Sequence, residues 1–146
     1  MSLFKKKTPV QGMSGTQPAM DMGPMVGMLA KAPEEKRQEM LTDRLTVFAG
    51  QDASSRQRGM AAMLEAALGL SDDDYQNIAN SRMAVIQTFP QDLRMKLMKS
   101  HAAVVQALPE DLRMKEMRAT KSVLAGLPAE KRQMMEAMMK DLGMMG

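Results

Sequence analysis

Apolar side chains recur along this chain at helical spacing, and the recurrence is itself repeated. Three copies of one phrase stand out: Phe89-Pro90-Gln91-Asp92-Leu93-Arg94, Leu108-Pro109-Glu110-Asp111-Leu112-Arg113 and Leu127-Pro128-Ala129-Glu130-Lys131-Arg132. Their prolines are 19 residues apart, and the same period counted backwards lands on Ser71, Asp52 and Pro33. Six units of 19 therefore fill residues 33–146. With the first residue of each unit as position 0, apolar side chains return near positions 3, 7, 8, 11, 14, 15 and 18, the spacing of one helix face.

Each unit opens on Pro, Asp or Ser, residues that start helices, and positions 1 and 2 are acid-rich in every unit but the second, facing the positive end of the helix dipole. Ser71 and Asp74 have capping-box spacing. Gly50, Gly69 and Gly126 fall at position 17, where a C-cap favours glycine. The pattern predicts a helix of about 15 residues, ~22 Å long, in every unit. The apolar residue before each proline is expected to close the junction. Unit two is the weakest, with Gly59 in mid-helix and a polar opening from Ser54 to Arg58.

Helices this short are marginal alone and must bury their stripes against one another. The expected fold is all-α: six short helices in tandem repeats, as a small α-solenoid or a compact helical array. Ahead of them, residues 1–32 read as a flexible tail rich in Met, Gly and Pro, with a short helix from about Pro24 to Lys31.

Composition agrees with helices. Ala, Leu, Met, Glu, Lys, Arg and Gln dominate, while aromatic residues make up only 3%. The absence of cysteine excludes disulfides and thiolate chemistry. One histidine and one tyrosine leave little general acid–base capacity. His101 has no second histidine to complete a metal or catalytic site, so no enzyme and no cofactor is expected.

The net charge of +3 resides in the tail, where Lys5, Lys6, Lys7 and Lys31 face Asp21. Residues 33–146 balance 16 basic against 16 acidic side chains, which argues against nucleic acid as a partner. Lys5, Lys6 and Lys7 offer weak contact with an anionic membrane. No apolar run follows them, so no secretory signal is read and the cytoplasm is the expected compartment.

Position 4 reads Arg37, Arg56, Tyr75, Arg94, Arg113 and Arg132. Such a column could meet an acidic partner, but the expected role is pairing with carboxylates of the same or the next unit.

Methionine exceeds every expectation, with 20 residues in 146. Met95, Met98, Met114 and Met117 are expected in the core. Met134, Met135, Met138 and Met139 wrap more than one face of a terminal helix and are expected to present an apolar surface. The C-terminal Gly143-Met144-Met145-Gly146 is expected to fray. The tail run Met20, Met22, Met25 and Met28 suits either docking or Cu(I), which soft thioethers select.

The repeated opening of Leu, Pro, two acids and Arg resembles the short-helix repeats in the N-terminal domain of MgtE-type magnesium transporters and in the flagellar switch protein FliG. That resemblance implies a superhelical α-array used for contacts between proteins. From the composition and placement of the methionines, the expected function is a non-enzymatic protein–protein interaction module: an adaptor, scaffold or accessory subunit. It would bind another protein, or a second copy of itself, through Met134, Met135, Met138 and Met139, with Met20, Met22, Met25 and Met28 assisting. A chaperone-like binder of hydrophobic segments and a methionine-based copper protein are the alternatives.

Overall fold

The structure, a computed structural model, describes residues 22–144. Lys5, Lys6, Lys7, Met20 and the greater part of the expected flexible tail lie outside these residues, as do Met145 and Gly146.

The described chain is all-helical: α1 (Gly23–Lys31), α2 (Glu34–Ala49), α3 (Ala53–Leu68), α4 (Asp72–Ile86), α5 (Gln91–Gln106), α6 (Glu110–Ala125) and α7 (Ala129–Asp141). Six of these follow the 19-residue units, and α1 is a seventh. It covers the short helix expected from Pro24, but it is no part of a loose tail. Val26, Leu29 and Ala30 on α1 are buried in the core, and the helix packs on α3 and α4. Counting the period back once more explains this: Leu29 and Ala30 take the places that Phe48 and Ala49 hold one unit later. The helical body thus begins at residue 23 rather than 33.

The four repeat prolines occupy the N-cap, with ψ near 150°, and their carbonyls accept the first helical N–H four residues on. Where proline is missing, a side chain does the capping. Asp52 accepts from the Ser55 N–H at 2.9 Å, and Ser71 accepts from the Asp74 N–H at 3.1 Å.

The glycines at position 17 differ from expectation. Gly50, Gly69 and Gly126 all keep negative φ, and Ala107 takes the same conformation at the same place. The turn closes by bonds to carbonyls three residues back, so no left-handed residue is required. Gly143 alone among the described glycines has positive φ, +76°.

The principal face-to-face pairings skip a helix: α2 packs on α4, α3 on α5, and α4 on α6. Sequence neighbours touch less. The odd and even helices therefore form two interleaved columns around one continuous core that runs from Val26 to Met139. The last helix departs from this scheme. α7 lies mainly on α6 and makes no comparable pairing with α5.

Candidate functional site

Two polar devices tie together helices that are not neighbours in sequence, and both come from repeat columns. The first uses the arginine column. Arg37 Nε donates to the Ser81 hydroxyl and Arg56 Nε to the Ser100 hydroxyl, each at 2.8 Å and across 44 residues of chain. Both serines stand at position 10, two units further on. Ser81 passes the interaction along by donating to the Glu34 carboxylate at 2.8 Å.

The second end of each guanidinium turns back on its own junction. It donates to the carbonyl just before the unit: Arg37 to Ala32 at 2.7 Å, Arg56 to Gln51 at 2.8 Å, Arg113 to Leu108 at 3.2 Å and Arg132 to Leu127 at 3.1 Å. These carbonyls follow a helix end, where acceptors lack helical partners and cations are favoured. The expected pairing of the column with carboxylates is therefore corrected. Among the column's arginines only Arg37 meets one, Glu34 at 2.8 Å. The backbone wins because each guanidinium lies over the preceding junction, while most position 1 and 2 acids point to solvent.

The second device is lysine at position 6. Lys96 reaches the Ala49 carbonyl at 3.5 Å, and Lys115 reaches the carbonyls of Leu68 and Leu70 at 2.9 and 2.6 Å. Each lysine thus clasps the C-terminal end of a helix three units earlier.

In the last unit both devices fail for the same reason. Position 6 is Met134 and position 10 is Met138. Arg94 still contacts the Gln87 and Phe89 carbonyls at 3.4 Å, but the residue at position 10 two units on is Met138 rather than a serine. That buried Nε has no hydrogen-bond partner. Between α7, the end of α4 and the start of α5 lies an open groove of about 510 Å³. Its lining includes Gln87, Arg94, Leu127, Lys131, Met134 and Met138, with two cations and no carboxylate.

Of the eight methionines expected to bind, the seven within the described residues divide sharply. Met134 is 59% exposed and Met138 half-buried, both on the groove. Met135 and Met139 are 2% and 4% exposed and belong to the core, so they offer no free surface. On α1, Met28 is 68% exposed, whereas Met22 and Met25 pack against the core. In units four and five the expected core role holds for Met98, while Met114 is exposed.

A third feature escaped the sequence reading. Glu116 is only 2% exposed and is surrounded by donors. Arg82 Nη2 lies 3.2 Å from both carboxylate oxygens, His101 Nε2 is at 2.9 Å, Thr120 Oγ1 donates at 3.0 Å, and the Tyr75 hydroxyl donates as well. Burial pushes the Glu116 carboxyl up, but Arg82, His101 and Tyr75 outweigh it and hold the group far below its ordinary value. Burial also raises the Tyr75 hydroxyl, with Glu116 adding to the effect. A carboxylate offers about four acceptor positions, and these donors take them. No lone pair is left to act as a base, so the cluster pins α4, α5 and α6 together.

The signal for this cluster was present as departures from the columns. Glu116 interrupts an otherwise uncharged position 7, Tyr75 interrupts the arginines, and Arg82, His101 and Thr120 are successive residues of position 11.

Compared with protein-family models, curated proteins and solved structures, the chain finds no match.

Proposed function

We propose that this chain is a non-enzymatic protein–protein interaction module, an adaptor, scaffold or accessory subunit, which docks a partner in the groove beside α7. The observation that carries this reading is the exposed Met134, which with Met138 lines an open groove where next-but-one packing stops. Unbranched thioethers adapt to a partner's contours at little steric cost. A helical array that ends on such a face resembles a groove waiting for an amphipathic helix. No described helix is long and apolar enough to cross a membrane.

The test is tagged purification from the native host, comparing the wild type with a Met134→Glu, Met138→Glu variant. One stoichiometric chain, cross-linked to α7 and lost in the variant, supports the reading. A heterogeneous set of unfolded chains would favour the chaperone-like alternative, and equal recovery with both proteins would refute docking at this groove.

A further inference from the structure

Arg94 carries information about what enters the groove. At the two equivalent places earlier in the array, the arginine Nε is satisfied by a hydroxyl on a helix two units away. For Arg94 the corresponding residue two units on is Met138, whose thioether is a weak acceptor, and the buried Nε has no hydrogen-bond partner. An unpaired buried donor is costly, and an occupant that brings an acceptor against it relieves that cost on binding. The groove is also electrostatically one-sided, with Arg94 and Lys131 in its lining and no opposing carboxylate.

We propose that the groove takes an acidic amphipathic helix of a partner protein, which sets a serine, threonine or carboxylate side chain against Arg94. The proposal rests on the functional reading above and gives it a chemistry. The occupant supplies what Ser81 and Ser100 supply inside the array: an apolar helix face carrying one acceptor. Its acids lie toward Lys131. Residues 1–21 of this chain fit poorly, because they carry three lysines against one aspartate. A second copy would need to offer an acidic helix of its own without unfolding, and the helices already bury their apolar faces within the array.

A surrogate ligand exists within the sequence. A peptide of residues 71–89 is acidic, with three aspartates against one arginine, and carries Ser81 on its apolar face. Labelled at one end, it should bind the full chain saturably in fluorescence anisotropy, more weakly as salt rises. Ser81→Ala in the peptide should weaken binding about tenfold, and so should Arg94→Lys in the protein, since each removes one charge-assisted hydrogen bond. The peptide change leaves the protein untouched, so its effect cannot come from misfolding.

Binding that ignores both substitutions, or no binding at all, overturns the proposal. If the peptide fails while a stoichiometric host partner is still released by the Met134→Glu, Met138→Glu variant, the acidic-helix chemistry falls and the docking function stands. If the chain itself forms concentration-dependent oligomers that Met134→Glu abolishes, the occupant is a second copy and the proposal is wrong.

Discussion

At the scale of single residues, Glu116 is the side chain on which most depends. Its ionised form is held by Arg82, His101, Thr120 and Tyr75, so the folded state binds its proton far less readily than the unfolded chain does. The sign follows directly. Stability from this group is fully present above the ordinary carboxylate value of 4.5 and is lost as pH falls below it. Glu34 acts in the same sense: burial opposes, but Gln38, Arg37 and Ser81 hold its carboxyl low. Urea unfolding at neutral and acid pH should show stability falling steeply below pH 4.5 in the wild type. Glu116→Gln should lose about 2–4 kcal/mol at neutral pH, because Arg82 is left partly buried beside a neutral group, and should lose much of the acid dependence too. An unchanged acid slope in this variant would show that other carboxylates govern it. Glu116 and Tyr75 were legible as exceptions in their columns. The meeting of the cluster was not, because Arg82 and Glu116 are 34 residues apart and converge only when helices pack across an intervening one.

At the scale of the helix, boundaries were the most readable property. Proline, serine and aspartate caps fixed the starts of α2 to α7, because each satisfies or tolerates the free N–H groups of a first turn. Helix α1 was half-read: its extent was seen, but its glycine- and proline-rich approach hid the in-register Leu29 and Ala30. Glycine was misread in two opposite ways. At Gly126 the backbone is right-handed, and an added Cβ meets only carbonyl oxygens at 3.5 and 3.9 Å. Gly126→Ala should therefore stabilise by about 0.4–1 kcal/mol, through the unfolded chain, in thermal or urea unfolding. Gly59 looked like a weakness in α3. An added Cβ would lie 2.6 Å from the ring of buried Phe48, so glycine there lets α2 and α3 approach. Gly59→Ala should destabilise by about 1–3 kcal/mol despite the better helix propensity of alanine. A stabilised Gly59→Ala variant would mean that the ring moves aside without cost.

At the scale of the whole molecule, the sequence left solenoid and compact array open, because periodicity specifies a face and not its partner. The distinguishing information sits in pairs of columns: arginine at position 4 with serine at position 10, two units on. It was hidden by a more obvious local candidate, the acids two and three residues away. The same pairing shows where the array ends, since Met134 and Met138 replace both polar clasps. Introducing the missing acceptor should close that end from within. Met138→Ser is expected to give Arg94 its partner, raise stability by roughly 0.5–1.5 kcal/mol at most, and weaken capture of the peptide of residues 71–89. Stability and capture that both stay at wild-type levels would remove Arg94 from the account of the groove.

Skipping a helix also has a price in time during synthesis. Arg37 cannot meet Ser81 until 44 further residues have been made, which at ordinary translation speed is a few seconds. Until α4 and α5 leave the ribosome, the faces of α2 and α3 that they cover lack those partners. Nascent chains halted with α4 still in the exit tunnel should be readily cut by protease in α2. Protection should arrive abruptly once α4 clears the tunnel, and then again, for α3, when α5 does.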